Sequence, residues 1–139
     1  MAPPFRRPHP DASTDAFWDA CREGEFLVKR CRSCGNAHFY PRPFCPRCWS
    51  DDVMWERTSG RATLYSWSVV HRNELEPFRE LLPYVPALVD LAEGPRVMTR
   101  IVDADPATLT IEMPVRVCFL ADDDGFTVPF FTPDRGEPQ

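Results

Sequence analysis

The spacing of hydrophobic and polar positions changes character near Ser59-Gly60. Downstream it has a period of two, the signature of strands. Arg61 to Arg72 (RATLYSWSVVHR) reads as one long strand rich in β-branched and aromatic residues. One face carries Thr63, Tyr65, Trp67, Val69 and His71; the other carries Ala62, Leu64, Ser66, Ser68, Val70 and Arg72. Neither face is plainly polar, which predicts a long, bent strand shared between two surfaces of a small barrel. Tyr84 to Leu91, Arg96 to Asp103, Val115 to Leu120 and Phe126 to Phe131 complete a set of five strands. Residues 73–83 read as a loop or short helix, and Asp103 to Leu109 as a turn with a single helical loop. Asp122-Asp123-Asp124-Gly125 is a hairpin turn in which glycine supplies the positive φ. Pro129 inside the last strand marks it as an edge or bulged strand. Five short strands with turn signals between them predict a five-stranded Greek-key barrel of the OB type, with a small β-sandwich as the alternative.

Upstream the period is helical. Ser13 to Arg22 predicts a short helix, with Ser13 or Thr14 as cap, Asp15 at its positive end and Gly24 as stop. Phe17 and Cys21 share a stripe, while Phe17 and Trp18 point to different faces. So short a helix is not stable alone, and at least one of the two rings must be buried against the rest of the chain or against a partner. Phe26 to Lys29 and Val53 to Glu56 are short strands flanking a cysteine-rich segment, with Trp55 as its expected lid. The expected organisation is an extended, flexible arm at 1–12, the helix at 13–24, a metal-bearing ribbon at 25–59, the barrel at 60–133 and a tail at 134–139.

That segment holds the clearest chemistry. Cys31-Arg32-Ser33-Cys34 and Cys45-Pro46-Arg47-Cys48 are two Cys-x-x-Cys knuckles ten residues apart. Two such turns facing each other supply four sulfurs in a tetrahedron, the arrangement Zn²⁺ accepts in a closed structural site. Iron, or a pair of disulfides, are the alternatives. Four cysteines suffice, so His38 is not needed as a ligand. Cys21 and Cys118 lie in apolar surroundings and read as buried small hydrophobes.

Composition narrows the function classes. The chain has 139 residues, about one domain, and 43% are hydrophobic, as in ordinary globular proteins. No apolar run approaches the ~18 residues of a membrane span, and the N-terminus has no hydrophobic segment of the signal-peptide kind. With four cysteines in metal spacing, this predicts a cytoplasmic protein with reduced thiols. A net charge of −5 argues against generic nucleic-acid binding, although an OB-type module with aromatics for base stacking is kept as an alternative. His71 is the one candidate general base, but no serine sits in a nucleophile elbow and both spare cysteines read as buried. No catalytic residue is therefore assigned.

The motifs, taken in order, resemble a known family. The Phe17-Trp18 helix is followed by Arg30-Cys31-x-x-Cys34-Gly35 and Pro41-Arg42-Pro43-x-Cys45-Pro46-x-Cys48. Then come Ser59 to Trp67, Val69 to Arg72, Pro83 to Val89, Met113-Pro114-Val115 and Val128 to Phe131. Over roughly Asp15 to Pro133 the chain resembles acyl-CoA-associated proteins built from a rubredoxin-like zinc ribbon and an OB-fold, long classed as a domain of unknown function. The resemblance implies a mainly β fold with a short N-terminal helix, structural Zn²⁺ on Cys31, Cys34, Cys45 and Cys48, and a heteromeric complex. The implied partner is a thiolase-like or lipid-transfer-protein-like enzyme acting on acyl-CoA thioesters, such as a steroid side-chain aldolase. On that expectation, arginines should meet the CoA phosphates and aromatics should line the passage for the rest. Arg42, Arg47, Arg61 and Arg72 are the candidates for the first, and Phe39, Tyr40, Phe44, Trp67 and Tyr84 for the second. Phe17 and Trp18 are the candidates for the partner interface. A free-standing acyl-CoA carrier is the main alternative.

Overall fold

The computed structural model describes residues 3–136. Its elements in order are helix α1 (Asp15–Arg22), strands β1 (Leu27–Cys31), β2 (Ala37–His38), β3 (Val53–Arg57) and β4 (Arg61–Trp67), helix α2 (Phe78–Leu81), then β5 (Val85–Leu91), β6 (Arg96–Ile101), β7 (Pro114–Ala121) and β8 (Thr127–Pro133). The first three strands form a sheet in the order β2-β1-β3. The last five close into a barrel in the order β4-β5-β6-β8-β7. Counted within the barrel this is 1-2-3-5-4, the five-stranded OB arrangement, and not a sandwich. No helix of the described residues is long and apolar enough to cross a membrane.

The predicted long strand stops at Trp67. A bulge between Leu64 and Ser66 shifts its register against β5. This explains the ambiguous faces: Ala62 and Leu64 point inward and are buried, while Tyr65 is thrown outward, under the Arg96 guanidinium at 3.4 Å from its ring centroid. Beyond the bulge, Val70 meets Tyr84 only as an isolated bridge. Strand β5 alternates cleanly, with Val85, Ala87, Val89 and Leu91 buried. Pro129 pairs opposite Phe119 on β7. The Phe131 carbonyl accepts the Val102 N–H at 2.9 Å, so residues 129 and 131 turn their backbone groups away from β7. The missing N–H of Pro129 therefore removes no bond from that ladder.

Closure of the barrel needs Gly60. Its carbonyl accepts the Val117 N–H at 2.8 Å, its φ is +79°, and a Cβ there would sit 2.7 Å from Val117 Cγ1. Neither the space nor the conformation admits another residue cheaply.

Helix α1 ends as expected at Gly24 (φ +78°), where Gly24 N–H donates to the Cys21 carbonyl and Glu25 N–H to the Ala20 carbonyl, a Schellman closure. Its start differs from expectation. Thr14 stands at the cap but makes no side-chain cap bond. Asp11 organises the entry instead, its carboxylate accepting from Ser13 N–H at 2.9 Å while its own N–H donates to Thr14 Oγ1 at 3.0 Å.

The expected flexible arm is a correction among the described residues. Phe5 is 5% exposed, packed between Phe126 and Phe130. Arg7 donates to Asp122 and, at 2.8 Å, to Asp124, and Arg100 donates to the Pro4 carbonyl at 2.6 Å. The arm is a strap because one aromatic and one cation find apolar and acidic counterparts on the β7–β8 hairpin. Residues 1–2 of the expected arm and 137–139 of the expected tail lie outside the described residues.

Candidate metal centre and the cleft beside it

The two knuckles are built alike. Cys31 N–H donates to the Asn36 carbonyl and Cys45 N–H to the Ser50 carbonyl, each at 2.8 Å. Gly35 N–H returns to the Cys31 carbonyl at 2.9 Å and Trp49 N–H to the Cys45 carbonyl at 2.8 Å. Ser33 and Ser50 hydroxyls join the turns at 2.9 Å. The four Sγ atoms lie within 4.8 Å of one another, with Cys31–Cys48 at 3.6 Å and Cys34–Cys45 at 3.7 Å. A tetrahedron with Zn–S bonds of about 2.3 Å has edges of about 3.8 Å, so the donor set fits Zn²⁺. Backbone N–H groups of Cys34 and Arg47 point at Cys31 Sγ and Cys45 Sγ, at 3.5 and 3.4 Å. Bonds of this kind hold the Cys31 thiol below its ordinary range. At Cys45, burial opposes ionisation, but N–H groups of Cys48 and Arg47 bring the thiol down to about 6. Both favour the thiolate that a metal needs; at Cys48 a Ser50 N–H works the same way, but burial and the three neighbouring sulfurs outweigh it and push that thiol up to about 12. Four sulfurs fill the coordination sphere and make the site structural.

The knuckles differ in the residue that follows the second cysteine. Gly35 has φ +80°, and the equivalent residue of the second knuckle is Trp49 with φ +68°. A bulky residue held in the left-handed region costs about 1–3 kcal/mol. Trp49 is nevertheless 74% exposed, and its ring stacks on Phe44 at 5.2 Å and 11°.

His38 is 6% exposed, paired with Lys29 across β1–β2, and neither ring nitrogen has a hydrogen-bond partner. Burial, then the Lys29 charge, depresses its basicity, so it stays neutral. It stands apart from the sulfur cluster. Trp55, the expected lid, packs against the hydrophobic core with Lys29 Nζ 4.5 Å from its ring centroid.

Ribbon and barrel are joined by rings. Phe17, Phe26 and Phe39 lie 5.2–5.4 Å apart, and Phe26 reaches Phe131 of the barrel at 6.0 Å. Beside them is an apolar cleft of about 290 Å³ between α1, the Phe39-Tyr40-Pro41 segment, β6 and β8. It exists because β6 and β8 pair only at Ile101 and Phe131. Tyr40 bridges part of the gap, its hydroxyl accepting the Met98 N–H at 3.1 Å.

The other candidates scatter. Phe39 and Tyr40 line the cleft, Phe44 stacks under Trp49, and Trp67 ends β4. The Tyr84 hydroxyl accepts from Asn73 at 2.9 Å, with its ring against Phe78. Arg42 and Arg47 are exposed on the ribbon. Arg61 stands opposite Arg116 across β4–β7, and Arg72 pairs with Glu74 at 3.1 Å in solvent. These arginines and aromatics are not gathered into one pocket. Phe17 is 3% exposed within the chain's own core, and Trp18 is half-buried at the cleft. His71 is exposed and hydrogen-bonds to no acid among the described residues. Cys21 is buried as expected, and burial pushes its thiol up to about 12; Cys118, expected to be buried, is only partly so on the outer side of β7, although burial raises its thiol as well. Sequence reasoning missed the strap and Trp49. The signal for Trp49 was its place in the second knuckle, four residues after Cys45, as Gly35 is after Cys31.

A tetrathiolate ribbon followed by a closed OB barrel defines the class of protein. Residues 18–53 match the ChsH2 rubredoxin-like zinc ribbon domain and residues 55–120 the ChsH2 C-terminal OB-fold domain. The chain belongs to this ChsH2-type DUF35 family. A DUF35 domain-containing scaffold protein of Methanocaldococcus jannaschii is 37% identical over 104 residues, 73% of each chain. A probable enoyl-CoA hydratase alpha subunit of Thermomonospora curvata is 36% identical over 94% of this chain. This chain spans only 41% of that relative's length. Among solved structures, that of an Ltp2-ChsH2(DUF35) aldolase matches with a TM-score of 0.81 and 33% identity, over 91% of this chain and 98% of the other. A DUF35 protein of Sulfolobus solfataricus (TM-score 0.61, 12% identity, 88% of this chain and 86% of the other) shares the fold.

Proposed function

We propose that this chain is a non-catalytic accessory subunit of a thiolase-like enzyme acting on acyl-CoA thioesters, in the manner of a steroid side-chain aldolase. The observation that carries the reading is the match of nearly the whole chain to nearly the whole matched chain of the Ltp2-ChsH2(DUF35) aldolase structure. The chemistry of the chain agrees. Its metal site is closed by four sulfurs, and its spare thiols are held protonated by burial. Among the described residues His71 has neither an acid hydrogen-bonded to orient it nor a nucleophile beside it.

In this reading zinc supplies rigidity, and Cys31, Cys34, Cys45 and Cys48 hold it. The aromatic joint then fixes ribbon and barrel as one surface for a partner. The partner contributes the catalytic groups. Exposed arginines at 42, 47, 61 and 72 remain candidates for CoA phosphates, and Phe39 and Tyr40 for an acyl passage. Co-expression with the thiolase-like enzyme of the same organism tests the reading. The two chains are expected to elute together, with the enzyme insoluble or inactive when made alone. Separate elution of two stable proteins would falsify it.

The apolar cleft favours a second reading, a free-standing acyl-CoA carrier. Calorimetry with a long-chain acyl-CoA on the isolated chain separates the two. Saturable binding that Tyr40→Ala weakens supports the carrier, and no heat removes it.

A further inference from the structure

Trp49 combines two properties that a merely structural residue does not need. Its backbone is held at φ +68°, where the sister knuckle uses Gly35, and its ring is 74% exposed. The strain therefore places a large aromatic in water without a core to fill. The ring is nonetheless oriented, because its inner face stacks on Phe44 at 11°. Its backbone is fixed within hydrogen bonds of a metal ligand, since Trp49 N–H donates to the Cys45 carbonyl. Arg42 and Arg47, on either side of Phe44 in the chain, are exposed and form no ion pair among the described residues, unlike Arg32, which reaches Asp52 at 3.9 Å. A preorganised tryptophan accompanied by free arginines is the composition of an interface hot spot.

We propose that the second knuckle is a docking point for the partner enzyme, with Trp49 entering an apolar recess rimmed by carboxylates that meet Arg42 and Arg47. The inference rests on the accessory reading and deepens it by assigning the contact to the ribbon and not to Phe17, which the core already buries. Charge complementarity commits the occupant to an acidic-rimmed protein surface, and unpaired cations there also steer its approach.

The test uses the full zinc-loaded chain and the thiolase-like enzyme of the co-expression experiment. Trp49→Gly relieves the strained backbone while removing the ring. The thermal midpoint is expected to rise and zinc content to stay constant, while the Kd for the enzyme rises at least tenfold. Arg42→Glu with Arg47→Glu is expected to weaken binding tenfold or more and to flatten its dependence on salt. An unchanged Kd in Trp49→Gly overturns the docking point and leaves the accessory role standing. A lowered midpoint together with weaker binding also overturns it, because Trp49 would then act by holding the knuckle. Failure of the unaltered chain to bind the enzyme removes the accessory reading, and this inference with it.

Discussion

At the scale of single residues, the chain depends on a few positions that admit no substitute. Gly60 is the sharpest case, because closure brings Val117 Cγ1 to 2.7 Å from where a Cβ would stand, at φ +79°. Gly60→Ala is expected to destabilise the fold by about 1–3 kcal/mol, read as a lower denaturant midpoint at unchanged zinc content. Leu64, fully buried in the barrel, should cost about 2–5 kcal/mol when cut to Ala. The spare thiols make a different prediction. Cys21 is 1% exposed with its thiol pushed up to about 12, and burial raises Cys118 too. Iodoacetamide at pH 8 should leave both unmodified in the folded zinc form, whereas mass spectrometry after unfolding with a chelator should find all six cysteines alkylated. Selective labelling of Cys21 in the folded chain would contradict its burial.

At the scale of elements, the ribbon and the strap are held by different forces. The ribbon has little core of its own, and zinc binding of about 10–16 kcal/mol supplies its folding energy. Cys45→Ser, or a strong chelator, should therefore remove the metal and loosen Phe26 and Phe39 from the barrel, seen as lost near-UV circular dichroism. Because the ligands must be deprotonated, zinc affinity should fall as the pH falls. The strap rests on Phe5 and on Arg7 with its two aspartates. At Asp122 partial burial works against the charge, but Arg7 and two backbone N–H groups outweigh it and hold the carboxyl below its ordinary value. A carboxyl depressed in the folded state stabilises above its unfolded pKa and loses that contribution as the pH falls through the folded one. The strap should thus tighten above about pH 4 and loosen below it. Arg7→Ala at neutral pH should speed amide exchange in residues 3–10 without loss of zinc.

Legibility followed the same division. The sulfur ligands and the strands were readable because metal spacing and two-residue alternation are local signals, and β5 shows the alternation undisturbed. The end of β4 was not, since the bulge at Tyr65 is set by pairing with β5 and not by its own residues. The strap was hidden for a related reason. A proline-rich segment with one phenylalanine looks unstructured until Phe126, Phe130 and an acidic hairpin are brought beside it from more than a hundred residues away. The arginines and aromatics that are candidates for CoA lie on several surfaces, because residue type alone does not say which side chains the fold brings together.

At the scale of the whole molecule, metal and barrel act as one body. Zinc fixes the knuckles, the Phe17-Phe26-Phe39 rings join them to Phe131, and Gly60 lets β4 meet β7. What results is a shaped surface with a narrow apolar cleft and an exposed tryptophan. On the proposed function, turnover belongs to the partner. The most direct measurement is carbon–carbon cleavage of an acyl-CoA substrate by the purified chain, by the thiolase-like enzyme, and by the two reconstituted together, each at known zinc content. Activity is expected only in the mixture, and it should vanish when the chain is stripped of zinc beforehand. Cleavage by the purified chain alone, or full activity of the enzyme without it, would contradict the account.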